Sequence, residues 1–287
     1  VLTIDNDTEA GQALLNQADA LLEQAQTKAP DNTRITVSRY NNTLRKGKGL
    51  QWADDYQGVI DLLTTLLADI ASRNQTAEFA RIAGDAHQLR GESHYWIDEY
   101  DDAIANYSQA IDVYKVALEL GGPNQAISDE LSTTYWSRGN SYVDTSKPEQ
   151  AVVDYGEAMT LVETVVARDP GDTSSARQLA ILRASKAMAL ARTGERDEPI
   201  VLMSATNDWF EAQAKADPNT SGPQRSLAIS YHMMADVSEL AQGSDVACPW
   251  FKKALEKWLE VDARFGIADF DQRQPDLLRD EIAKCES

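Results

Sequence analysis

Three histidines, two cysteines and several adjacent acid pairs are the residues of this chain whose chemistry could be put to work. His87 and His94 stand seven residues apart, near one face of a helix, where they could share a metal ion. No further His or Cys lies close by and zinc-type spacing is absent, so packing or surface roles are expected, with no metal and no cofactor. The pairs Asp54-Asp55, Asp98-Glu99 and Asp101-Asp102 have the residue types of hydrolytic carboxylates. Each falls between two helical stretches or at the start of the second, where negative charge stabilises the positive end of a helix dipole. Gly121-Gly122 precedes Pro123 and ends a helix instead of opening a phosphate loop. Neither a nucleophile elbow nor a dinucleotide or kinase signature occurs. These residues point away from an enzyme.

Charge narrows the partners. Forty-six acidic against 27 basic residues leave a net charge of −19. Such a surface repels nucleic-acid phosphates and anionic membranes. It suits basic partners, although solubility alone would explain it. The basic stretch Arg34, Arg39, Arg45, Lys46, Lys48 stands out. It would serve either as a docking site for an acidic peptide or as a helix face paired with acidic neighbours. No apolar run approaches the roughly 18 residues of a membrane span. The chain opens on the polar stretch Val1–Thr8, without a signal peptide, as a segment cut from something longer would.

Hydrophobic residues make up 43% of the chain and aromatics only 7%, so Ala and Leu carry much of the apolar content. That favours helix-on-helix packing over a β-sandwich. Gly91, Ala103, Tyr107 and Ala110 have the spacing of two antiparallel helices that meet closely where one offers Gly or Ala, with an aromatic filling the space beside the contact. The stretch Arg90–Ile111 that holds them closely resembles a tetratricopeptide repeat.

The set returns 48 residues later as Gly139, Ala151, Tyr155 and Ala158. It returns again as Ala187, Pro199, Met203 and Thr206, then as Ala235, Ala247, Phe251 and Ala254. Gly122-Pro123, Asp169-Pro170 and Asp217-Pro218 end helices on the same beat. An earlier, divergent copy lies 44 residues upstream, where Gly47, Trp52, Asp54, Tyr56 and Ile60 match Gly91, Trp96, Asp98, Tyr100 and Ile104. The usual repeat is about 34 residues, so these helices should be long. The expected fold is an all-α, tetratricopeptide-like helix-pair solenoid in one continuous domain: a capping helix within residues 1–30, about five pairs over 31–260, and a closing helix within 261–287. Thr8–Lys28 would be the first cap, with Leu14, Leu15, Ala18, Leu21, Leu22 and Ala25 on one stripe. Pro275–Cys285 would be the last, holding on through Leu277, Leu278 and Ile282. Gly91 and Ala103 should face each other across their pair.

The resemblance implies a protein- or peptide-binding scaffold or sensor with no activity of its own. The alternative is a self-associating, oligomerising domain of a larger regulator. By that resemblance the concave groove would present Gln88, Glu92, Tyr95, Trp136, Asn140, His232 and Asp236. Leu44 occupies the place of a carboxylate-clamping Lys or Asn, which argues against that clamp. Of the six tryptophans, Trp52, Trp96, Trp136, Trp209, Trp250 and Trp258, most should be core, with Trp136 the exception. Long-period repeats with Asp-Pro between units and a Cys-bearing final helix are similar to the carboxy-terminal regions of bacterial membrane-anchored winged-helix regulators and serine/threonine kinases. Cys248 and Cys285 are the only cysteines. A closing helix that folds back antiparallel would join them and imply an extracytoplasmic setting; two separate cytoplasmic thiols are the alternative.

Overall fold

The computed structural model describes residues 8–286, so Val1–Asp7 of the polar opening lie outside the described residues. Twelve α-helices and one short 3₁₀ turn fill them, and no strand occurs among the described residues. The chain divides into two compact units, residues 1–145 and 146–287. The first contains α1 (Thr8–Lys28), α2 (Thr33–Trp52), α3 (Tyr56–Ala71), α4 (Ala77–Trp96), α5 (Tyr100–Gly121) and α6 (Gln125–Asp144). The second contains α7 (Pro148–Arg168), α8 (Thr173–Thr193), α9 (Glu198–Ala216), α10 (Ser221–Gln242), α11 (Ser244–Phe265), the 3₁₀ turn at Asp269–Asp271, and α12 (Gln274–Cys285).

Capping residues set where the helices begin. Asn32, Asp55, Thr76, Asn124 and Asp172 each accept hydrogen bonds from backbone N–H groups in the first turn of the helix that follows. Pro148 and Pro199 occupy first-turn positions of α7 and α9, where the missing N–H costs nothing. Helices of 19–22 residues from α4 to α11 absorb the long repeat period.

The turn inside each repeat has one left-handed residue: Asp54 (φ 57°), Asp98 (62°), Ser146 (57°) and Gly194 (92°), on the 44- and then 48-residue beat. Glycine takes this conformation freely and Asp tolerates it. Asp54 accepts the Tyr56 hydroxyl at 2.9 Å and Asp98 the Tyr100 hydroxyl at 2.8 Å. These two acids therefore hold the turn and a tyrosine and do not cap a helix, which corrects the dipole role expected for them. Asp55 does cap α3, and Asp101 and Asp102 lie in the first turn of α5.

The small residues of the repeat are buried, with Ala103, Ala110, Ala151, Ala158, Ala187, Ala235, Ala247 and Ala254 closed off from solvent. Gly91, however, meets Tyr107 first: a Cβ there would fall 2.9 Å from the Tyr107 ring and 3.3 Å from the Asn106 Cβ. The aromatic one turn beyond Ala103 takes the space opposite the glycine. A second close approach, at Gly84 against Tyr114, was not anticipated. In the first repeat Val59, Leu63 and Leu66, 44 residues ahead of Ala103, Tyr107 and Ala110, form the core, whereas Ile60 is only half-buried. There Val and Leu replace the two alanines and Leu replaces the tyrosine, so the same space is filled by a different division of volume.

The end helices hold on in different ways. No described residue of α1 is buried, and Leu14 and Leu21 point to solvent (45% and 67% exposed). A polar tie anchors it: Asn42 donates to the Leu15 carbonyl and to Asp19, and Lys46 pairs with Asp19 at 2.6 Å. On α12, Leu278 is fully buried beside Phe251, Trp258 and Val261, and Ile282 packs against them, but Leu277 faces outward. Arg225 of α10 grips the buried Asp271 of the 3₁₀ turn. Cys248 and Cys285 are joined as a disulfide with Cα atoms 5.8 Å apart. Among the tryptophans Trp258 is buried and Trp209 and Trp250 pack, partly buried, against the same core, whereas Trp52 and Trp96 depart from the expected core placement at 71% and 62% exposed.

Candidate binding groove

In the first unit α2, α4 and α6 are the first helices of successive repeats, and α4 packs against both of the others. Two clefts lie along them. One, of about 220 Å³, is lined by Asn41, Arg45 and Lys48 from α2, Asp85, Gln88 and Glu92 from α4, Tyr114 from α5 and Glu130 from α6. The other, of about 330 Å³, is lined by Glu92, Tyr95, Trp96, Tyr107, Trp136, Ser137 and Asn140. Glu92 belongs to both, so the two clefts share a wall.

Five of the residues expected in a groove therefore come together: Gln88, Glu92, Tyr95, Trp136 and Asn140. Gln88 is only 7% exposed and works as a hub in the floor. Its Oε1 accepts from Thr134 at 3.1 Å and lies 3.0 Å from the Tyr114 hydroxyl, while its Nε2 points to Glu92 at 3.5 Å. Glu92 also accepts from Gln51 at 3.2 Å. Tyr95 donates to Asp144 at 2.8 Å, and burial together with that carboxylate pushes its phenol up to about 12. His232 and Asp236 lie one turn apart on α10 in the second unit, Nε2 to Oδ1 3.7 Å. Burial raises the Asp236 carboxyl above its usual range, opposed by His232.

The electrostatics of the first cleft are two-sided. Burial holds the Asp85 and Glu130 carboxyls above their usual range despite Tyr114 and Arg81 beside Asp85 and Gln88 beside Glu130. Arg81 pairs with Asp85 at 2.5 Å, but among the described residues no cation forms an ion pair with Glu92 or Glu130. Arg45 and Lys48 face them from α2. The basic stretch thus splits: Lys46 is taken up by Asp19, while Arg45 and Lys48 line the cleft. Asp85 and Glu130 carry no mark in the sequence, because a carboxylate on a helix face looks the same there whether it is solvated or buried by a neighbouring helix.

The histidines do not assemble into a shared site. His87 lines a separate cleft beside Phe79 and Val113, and its Nδ1 is buried without a partner among the described residues. His94 instead bonds Glu99 through Nδ1 at 2.7 Å. Its ligand atom lies within 4.8 Å of those of Glu99 and Asp102, two exposed acids.

No protein-family model matches the chain, and no curated protein matches its sequence. Solved structures resemble it in fold. One is a kinesin-light-chain-like protein of Podosopora anserina with nearly identical TPR-like repeats, 13% identical, TM-score 0.58, covering 81% of this chain and 99% of that one. Another is BtubC (BKLC) from P. vanneervenii, 13% identical, TM-score 0.58, covering 91% of this chain and 94% of that one. At this identity the likeness is one of fold: a tetratricopeptide-like array of helix pairs.

Proposed function

We propose that this chain is a protein- or peptide-binding repeat module, without chemistry of its own, that grips a polypeptide segment along the clefts of its first unit. The observation that carries the proposal is the pair of clefts sharing Glu92, lined by charged side chains at one end and by Tyr95, Trp96 and Trp136 at the other. Tyr and Trp side chains lining a cleft are the residue types in which interface hot spots are enriched. The test is a peptide-array screen followed by titration against Trp136→Ala, Asn140→Ala and Glu92→Gln. Binding should weaken by more than about 1 kcal/mol in Trp136→Ala while its melting curve holds. Array peptides bound equally well by all three variants would overturn the assignment of the groove. If instead sedimentation gave a mass rising with concentration and no peptide bound, self-association would be the function. The compartment forms part of the proposal: the Cys248–Cys285 bond supports an oxidising, extracytoplasmic setting, as in the sensor region of a bacterial membrane-anchored regulator.

A further inference from the structure

The motif Trp-x-Asp-acid-Tyr occurs twice, as Trp52-Ala53-Asp54-Asp55-Tyr56 and Trp96-Ile97-Asp98-Glu99-Tyr100, each at the turn between the two helices of a repeat. Both tryptophans are among the most exposed large apolar side chains of the molecule. Burial in a helix core does not account for an indole left in water at the same place in consecutive repeats.

The second copy is built into a continuous ledge. Tyr56 stacks on Trp96, centroids 6.5 Å apart and planes 18° apart. Tyr95 meets Trp96 edge-on at 6.0 Å and Tyr100 at 5.4 Å. Every phenol on the ledge donates to a carboxylate: Tyr56 to Asp54, Tyr100 to Asp98 and Tyr95 to Asp144. The rings are thereby held in place with three negative charges at their rim. Other aromatic rings of the chain receive a cation from the chain itself, as Tyr40 does from Arg73, Tyr135 from Arg138 and Tyr231 from Lys253. Among the described residues no Arg or Lys lies over Tyr56, Tyr95, Trp96 or Tyr100, and none pairs with Asp54, Asp98 or Asp144.

A surface of flat rings rimmed by carboxylates lacks only the group it complements. A guanidinium stacks on an indole face and forks to a carboxylate, whereas an ammonium does neither so well. We propose that this ledge docks arginine side chains of a partner protein's segment. The proposal rests on the chain being a binding module and supplies the partner's chemistry at the Trp96 end of the groove. The net charge of −19 would draw such a segment in, and the ledge would place it.

The test uses the full 287-residue chain and an acetylated, amidated Gly-Arg-Gly-Arg-Gly peptide, with lysine and citrulline versions as comparisons, followed by ¹⁵N-detected indole and amide shifts. Wild-type protein should bind the arginine peptide with the Trp96 indole signal moving first, and bind the lysine and citrulline peptides several-fold more weakly. Trp96→Ala, and separately the double variant Asp54→Asn/Asp98→Asn, should weaken the arginine peptide about tenfold. Asn keeps the left-handed turn and an acceptor for each tyrosine, so the double variant removes charge without removing the fold. The control double variant Asp208→Asn/Asp245→Asn, equal in charge lost, should stay within about twofold of wild type. Equal loss in the control and ledge doubles would mean diffuse charge attraction and overturn the proposal. So would shifts scattered away from the ledge, or no binding to wild type at about 1 mM peptide. If peptides without arginine still bind and depend on Trp136 and Asn140, the module stands and the arginine ledge alone falls.

Discussion

Gly84 and Gly156 are both helical glycines, yet they should respond oppositely to the same change. A Cβ at Gly84 would sit 2.4 Å from the buried Tyr114 ring, which is itself held by Asp85. Gly84→Ala should therefore destabilise by about 1–3 kcal/mol. Nothing lies within 4 Å of a Cβ at Gly156, inside α7, so Gly156→Ala should stabilise by about 0.5–1 kcal/mol. Denaturant midpoints of the two variants check this, and a stable Gly84→Ala would refute the close approach. His87 supplies a pH-sensitive term. Burial, aided by Arg90, lowers its pKa from 6.5 to about 4. The folded state thus disfavours the proton: the stability is complete above pH 6.5 and is lost as pH falls toward 4, by roughly 2–3 kcal/mol. Asp85, Glu130 and Asp236, with raised pKa values, act in the opposite sense and gain on acidification. The quantity to measure is therefore the difference between wild type and His87→Leu, which should grow more unfavourable to wild type from pH 7 to pH 4.5. An unchanged difference would mean that His87 is open to water.

At the scale of the element, α12 is short, at 12 residues, and is held to α11 by Leu278, Ile282 and the disulfide. The bond closes a loop with a sequence separation of 37. A cross-link of that span is worth roughly 3–4 kcal/mol in the chain-entropy view. The double variant Cys248→Ser/Cys285→Ser should speed amide exchange in α12 by two or more orders of magnitude, about 1.4 kcal/mol per tenfold, while α4 and α5 keep their protection. Equal protection of α12 in both proteins would remove the bond from the stability of this end. Thiol counting on denatured, unreduced protein from its native compartment tests the bond and the proposed setting together. The bounds of α1 and α12 were legible in sequence almost to the residue, because apolar stripes and, for α12, a first-turn proline are local signals. Their attachment was not: Leu14, Leu21 and Leu277 lie on the apolar stripes and still face solvent.

For the whole molecule, the net charge sets the expected response to salt. With −19 on 287 residues, self-repulsion opposes the folded state and added salt screens it. Raising sodium chloride from about 10 mM to about 150 mM should raise the melting temperature, since the Debye length falls from roughly 30 Å to 8 Å. A melting point that falls over this range would mean that surface ion pairs such as Lys253–Glu211 and Arg264–Glu260 outweigh the repulsion.

The amino-acid sequence by itself determined the helix-pair architecture, the 48-residue beat and the places of the small residues. A repeat writes its own packing rule into the chain, and Gly or Ala every 48 residues has no other efficient use. It also brought out five side chains that the first unit gathers into its two clefts. Tertiary structure alone decided which partner each position meets. Gly91 has the Tyr107 ring as its nearest neighbour, Gln88 sinks to the floor of a cleft, and Trp52 and Trp96 stay in water at the ends of α2 and α4. Periodicity says which side of a helix turns inward, but how far a neighbouring helix reaches along that side depends on residues distant in sequence. At helix ends, where the turn leaves the core, an aromatic residue can therefore be surface even when its spacing matches the repeat.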